Sequence, residues 1–112
     1  MNNLRNRVQL IGNLGMDPEV KDLNGKTLAK MSLATTETYK DADGKKVKNT
    51  QWHNLVAWGN TALVFKNYAE KGKEIAVEGK INYRSYENKE GEKKYITEII
   101  VNEVLLLNSN KK

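Results

Sequence analysis

Only one stretch of this chain carries the apolar spacing of an α-helix, and most of the remainder alternates with the two-residue period of β-strands. The helical stretch is Asn60 to Gly72, in which Ala62, Phe65 and Ala69 form one apolar stripe flanked by Leu63 and Tyr68. Asn60 is the expected N-cap and Gly72 the residue just past the C-terminus, with Lys71 favourably placed near the negative end. Phe65, the only phenylalanine, is expected in the core. One helix set among strands restricts the chain to an all-β fold with a single helical insertion.

The strands read as follows. Arg7 to Leu14 is the first, with Val8, Leu10 and Leu14 of one parity and Gly12 marking a bend or a close backbone approach. Gly15 to Glu19 is a turn, in which Pro18 fixes φ and Asp17 is expected to bond nearby backbone. Asn24-Gly25 is a second turn signal, and Leu28 to Thr35 a second strand with Ala29, Met31, Leu33 and Thr35 on one face. Thr36 to Trp52 reads as a long hairpin turning at Asp43-Gly44, with Lys40, Asp41, Lys45, Lys46 and Lys48 at its tip. Arms this polar are expected to project from the body. After the helix, Glu74 to Tyr86 places Ile75, Val77, Gly79, Ile81 and Tyr83 toward the core and Glu78, Lys80, Asn82, Arg84 and Tyr86 away from it. Asn88 to Lys94 is a second charged tip, and Tyr95 to Leu107 the last strand.

Strand, strand, strand, helix, strand, strand, with glycines at strand bends and two long hairpins, predicts a five-stranded Greek-key barrel of the OB type. At 112 residues the chain is one domain, short enough for assembly to add stability. The barrel is expected over residues 1–107, followed by a short basic end at 108–112. Without cysteine, thiolate and disulfide chemistry are excluded and a reducing compartment, the cytoplasm, is expected. A lone histidine offers no zinc set, and no motif suggests a nucleophile, a cofactor or an enzyme. No apolar run reaches membrane-spanning length, and the N-terminus lacks the apolar segment of a signal peptide.

The functional signal lies in Thr50 to Trp58. Alternation puts Trp52, Asn54, Val56 and Trp58 on one face and Leu55 and Ala57 on the other. The largest rings are thus aimed away from the core in a chain of formal net charge +5. Charge alone fits a lysine-rich surface as well as a nucleic-acid binder, but flat rings among cations form a surface that stacks bases and attracts phosphates. Packing against another subunit or the hairpin is the competing use of these tryptophans.

Several ordered segments resemble the bacterial single-stranded DNA-binding proteins: Arg7-Val-Gln-Leu-Ile-Gly-Asn-Leu-Gly15 with Asp17-Pro-Glu19, Leu33-Ala-Thr-Thr-Glu37 running into Tyr39, Thr50 to Gly59, Tyr68-Ala-Glu-Lys-Gly72, and Val77-Glu-Gly-Lys80. The resemblance runs over about residues 4 to 107. It implies a non-enzymatic OB-fold protein that coats single-stranded DNA in replication, recombination and repair, assembled as a homotetramer built from two dimers. It places stacking aromatics at Tyr39, Trp52, Trp58 and Tyr86, and phosphate-contacting cations at Arg7, Lys21, Lys71 and Arg84. Lys80 joins the cations because it shares a strand face with Arg84. His53 falls on an interface histidine of the family.

The chain departs from the family pattern in three respects. Asn54 and Asn60 stand where basic residues are common, and tyrosine replaces tryptophan at 39 and 86. Simple alternation would also bury Tyr39, so a bulge or a departure from the barrel is required to expose it. The sequence stops at Asn108-Ser-Asn-Lys-Lys112, where the family normally continues into a flexible tail with an acidic tip. Enzyme recruitment through such a tail is therefore not carried over. A protein-interaction OB module of the primosome kind and an RNA-binding OB domain are the alternative readings.

Overall fold

The structure, a computed structural model, describes residues 4–107. The basic end expected at 108–112 lies outside the described residues. The elements in order are β1 (Val8–Leu14), β2 (Glu19–Leu23), β3 (Lys26–Lys40), β4 (Lys46–Trp58), α1 (Gly59–Tyr68), β5 (Glu74–Glu87) and β6 (Lys93–Leu106). Five strands close a barrel in the order β1-β5-β6-β4-β3 and back to β1. The β1–β3 closure is short, Asn13 opposite Ala34 and Leu14 opposite Leu33. The β4–β6 contact is equally short and parallel, Leu55 opposite Ile99 and Val56 opposite Ile100. This is the OB-type barrel expected from the element order.

One strand was not read in the sequence. β2 pairs with Lys26–Lys30 of β3 through the Asn24-Gly25 turn, outside the five-strand ring. Its pattern EVKDL is charged and almost wholly exposed, so it carries no core-facing alternation to detect.

The core holds Leu14, Ala29, Met31, Leu33, Leu55, Ala57, Ala62, Phe65, Ile75, Val77, Ile99 and Val101. Phe65 is fully buried, as its place on the helical stripe predicts. α1 packs against β3, β4 and β6 and buries Ala62 and Phe65 there. The helix is shorter than expected and its caps differ. It starts at Gly59, has Trp58 as N-cap with no side-chain bond, and ends at Tyr68 with Ala69 as C-cap. Asn60 therefore lies inside the first turn. Gly72 is spent elsewhere: its N–H donates to the Leu14 carbonyl at 2.8 Å. The Asp17 carboxylate accepts not from its own turn but from the Lys71 N–H at 2.8 Å, tying the β1–β2 loop to the loop after α1.

Two glycines allow the barrel to close tightly. A Cβ on Gly12 would stand 2.2 Å from the Ala34 carbonyl oxygen, and one on Gly79 would stand 2.1 Å from that of Ile100. Gly79 also sits at a register shift between β5 and β6, the signature of a bulge and of sharp curvature.

Beyond the barrel, β3–β4 and β5–β6 continue as two-stranded arms. The Cα radius of gyration is 16.2 Å, against roughly 13 Å for a compact chain of this length. Both tips use one local chemistry. The Asp41 carboxylate accepts from the N–H groups of Asp43 and Lys45, and the Asn88 side-chain oxygen from those of Glu90 and Glu92. Gly44 and Gly91 take the positive φ that closes each turn.

The arms decide two aromatic positions. Tyr83 was expected in the core by alternation with Ile75, Val77 and Ile81, yet it is 73% exposed. Its parity is retained, but by Tyr83 the strand has left the barrel and there is no interior for that face to meet. Tyr39 is 53% exposed for the same reason, without a bulge.

Candidate nucleic-acid interface

The outward face of the β3–β4 pair follows from register. Leu28 stands opposite Trp58, Lys30 opposite Val56, Ser32 opposite Asn54 and Ala34 opposite Trp52. Directly opposed residues share a side of a sheet, so these eight side chains form one surface. On the neighbouring strands Lys80, Asn82, Arg84 and Tyr86 of β5 lie opposite Ile100, Glu98, Ile96 and Lys94 of β6.

A continuous groove crosses this surface. Its largest hollow, about 340 Å³, is lined by Leu23, Leu28, Lys30, Val56, Trp58, Asn82, Arg84, Glu98 and Ile100. The next shares Lys30, Val56, Arg84 and Glu98 with it and reaches Met16, Ser32 and Asn54. A third shares Asn54 and Glu98 and ends at Trp52 and His53. The groove therefore runs from Trp58 to Trp52, with apolar Val56 on its floor and cationic Lys30 and Arg84 along it.

Trp58 is the last residue of β4 and the N-cap of α1, so strand pairing and helix start both hold its backbone. Its side chain is 43% exposed. Trp52 is 63% exposed, and one edge of its ring rests on the Gly15 backbone, where a Cβ would stand 2.3 Å from Cζ3. Trp52 is thus braced at one ring edge by Gly15, Trp58 is held through its backbone, and both rings are partly open to a planar ligand.

The charged residues divide into two kinds. Arg84 Nε donates to Glu98 Oε1 at 2.9 Å, and Asn82 Nδ2 donates to the same oxygen at 3.2 Å. Glu98 is only 6% exposed. Such a carboxylate is tolerated inside the fold because a guanidinium and an amide satisfy it. Arg7 is likewise paired, with Glu78. Among the described residues Lys21, Lys71 and Lys80 make no ion pair, and all are exposed.

Of the residues singled out from the sequence, the structure gathers Trp52, Trp58 and Arg84 into the groove. Tyr86 stands on the β5–β6 arm, on the same ribbon side as Arg84. Tyr39 stands on the β3–β4 arm opposite Val47, on the ribbon side away from Trp52. Arg7, Lys21, Lys71 and Lys80 line none of the three hollows. His53 bonds Thr35 Oγ1 through Nε2 at 2.9 Å and is half-buried. Asn54 donates to the Thr97 carbonyl at 3.3 Å.

Sequence reading missed Lys30, Asn82 and Glu98 as groove residues and Gly15 as the support of Trp52. For Lys30 the signal was present, because it alternates away from Ala29 and Met31. For Glu98 the register of β5 on β6 is needed, and no local pattern supplies it.

A five-stranded OB barrel carrying an open groove of tryptophans and cations defines the class of oligonucleotide-binding barrels. Comparison with known proteins narrows this class. Residues 5–107 match the single-strand binding protein family, and the chain belongs to it. Single-stranded DNA-binding protein 1 of Chlorobaculum tepidum is 41% identical over 104 residues, covering 91% of this chain and 64% of the relative. Single-stranded DNA-binding protein 1 of Xylella fastidiosa is 42% identical over 104 residues, covering 91% and 76%. The chain thus spans about two thirds of the length of these relatives, and 57% of that from Xanthomonas axonopodis. Among solved structures, the Plasmodium falciparum SSB in complex with ssDNA superposes with a TM-score of 0.85 at 32% identity, covering 96% of this chain and 100% of that one. A deletion mutant of the single-stranded DNA-binding protein from Thermus aquaticus gives a TM-score of 0.80 at 28% identity, covering 93% and 51%.

Proposed function

We infer that this chain binds and protects single-stranded DNA with little regard to sequence, by stacking bases along the Trp58–Trp52 groove while lysines follow the phosphates. The observation that carries this reading is the groove itself: two partly exposed tryptophans on one sheet surface of a +5 chain. Every base has a π-face, so stacking is strong without reading identity, and in single-strand binders each stack is worth about 1–3 kcal/mol. A duplex hides those faces inside its own stack. Tyr86 extends the platform along the β5–β6 arm. Tyr39, on the reverse of the other arm, takes part where a strand wraps over that arm. Lys21, Lys71 and Lys80 contact backbone beyond the groove, in a salt-dependent way. Family membership, and the DNA complex of the Plasmodium relative, support this choice of ligand. Roles in replication, recombination and repair follow from the same reading, with no catalytic step.

Assembly as a homo-oligomer, the homotetramer of the resemblance, is part of the proposal. Ile11, Ala76 and Leu105 face one another across β1, β5 and β6 on the outer surface. Ile11 and Leu105 are exposed, forming an apolar row suited to a second copy. His53 is separate from this row and is assigned a second subunit contact. Among the described residues no helix is long and apolar enough to cross a membrane.

Tryptophan fluorescence during titration with oligo-dT tests the reading, at low and high salt and with duplex DNA as control. Saturable quenching by the single strand alone, weakened by salt, is expected. Absence of quenching and binding would transfer the tryptophans to a protein interface. Preference for a matched RNA oligomer would mark an RNA-binding domain.

A further inference from the structure

We propose that Glu98 is a positioning residue that withholds Arg84 from the phosphate backbone and presents it to the bases. The inference rests on the single-stranded DNA reading above and revises the role of Arg84 within it. Arg84 is the arginine that lines the groove, sharing two hollows with Val56 and Lys30 and one with Trp58. Its Nε is bonded to Glu98 Oε1 at 2.9 Å, and the carboxylate side chain is 7% exposed against 43% for the arginine. If Arg84 swung out to a phosphate, Glu98 would be left buried with a single amide donor, Asn82 Nδ2 at 3.2 Å. An unpaired buried carboxylate is far more costly than an exchange of one exposed anion for another. Arg84 therefore stays on Glu98 when DNA binds.

Two consequences follow. The pair contributes no net charge, so a phosphate passing above it sheds no counterion to Arg84. The guanidinium also has N–H groups besides Nε, and its plane, tethered at Nε by Glu98, lines the hollow that Trp58 also lines. On this proposal those donors and that plane are offered to the bases. Lys30 lines the same two hollows and makes no ion pair among the described residues, so it is the cation there that can neutralise phosphate. The groove thus separates its charges, with lysine for the backbone and buffered arginine for the bases.

The test is the dependence of binding on salt. Log of the binding constant for oligo-dT is measured against log of NaCl concentration for the wild type, Glu98→Gln and the charge-neutral double variant Arg84→Met/Glu98→Gln. Each phosphate neutralised on a single strand contributes about −0.7 to the slope. Glu98→Gln frees the guanidinium and is expected to steepen the slope by about 0.7. The double variant is expected to keep the wild-type slope while binding oligo-dT roughly two- to tenfold more weakly, the loss of about one hydrogen bond. On an oligomer of abasic sites the double variant and wild type should bind alike. A double-variant slope shallower by about 0.7, with equal losses on both oligomers, makes Arg84 a backbone cation and overturns the proposal. Thermal melts check folding, and if Glu98→Gln alone fails to fold, the double variant, which leaves no buried charge, decides the question. Failure of the wild type to bind oligo-dT would instead overturn the single-stranded DNA reading itself.

Discussion

Gly15 lies in a loop and has no side chain to offer a ligand, yet Gly15→Ala is expected to weaken DNA binding. The new Cβ would stand 2.3 Å from Trp52 Cζ3, 3.0 Å from Cη2 and 3.0 Å from Ser32 Oγ. The loop cannot retreat freely, because the Gly15 N–H is bonded to the Ser32 carbonyl at 2.9 Å. Trp52 is 63% exposed and has solvent to move into, so the ring yields. Carbon atoms pack best at about 3.5–4.0 Å, so the ring edge must shift by roughly 1 Å or more. A side chain forced about 30° off its rotamer pays about 0.5–1.5 kcal/mol, and the stack it forfeits is worth about 1–3 kcal/mol. Removing the ring entirely with Trp52→Ala should therefore weaken oligo-dT binding about five- to hundred-fold. Gly15→Ala should lose a substantial part of that and no more. Gly15 is not at positive φ, so the backbone accepts alanine and the melting temperature should stay within a few degrees. The assay is an equilibrium titration of both single variants and the double variant. If Gly15 acts through the ring, the double variant binds like Trp52→Ala alone. Additive losses, or wild-type binding by Gly15→Ala beside a weakened Trp52→Ala, would refute the reasoning.

Three further outcomes follow from the same geometry. Trp58→Ala should weaken binding to oligomers of different sequence by a similar factor, about five- to hundred-fold, read by fluorescence anisotropy of labelled strands. Lys30→Met should make the salt slope shallower by about 0.7 with little change in melting temperature, since the side chain is outward on β3. Gly79→Ala puts a Cβ 2.1 Å from the Ile100 carbonyl oxygen. Backbone must move there, so a loss of roughly 3 kcal/mol and a drop of more than about 10 °C are expected by circular dichroism.

Much of this protein was determined by sequence alone, because its signals are local. The stripe of Ala62 and Phe65 places a helix on a core, and the alternation from Thr50 to Trp58 aims two tryptophans away from it. Glycines at 44 and 91, each preceded by a short polar run, turn both hairpins. Side-chain period and turn chemistry act over a few residues, so they can be read without a partner strand. The ordered family segments extend the same reading to the barrel.

Only the tertiary structure decided where the barrel ends and the arms begin. Alternation buries Tyr39 and Tyr83 equally well in a core or in nothing, and both strands had left the interior by those positions. The structure also decided that Asp17 serves a loop 54 residues away and that Glu98 meets Arg84 across β5 and β6. A carboxylate on a strand face looks the same in sequence whether solvent or an arginine covers it. Register between strands distant in sequence settles the difference, and register is set by how the barrel closes.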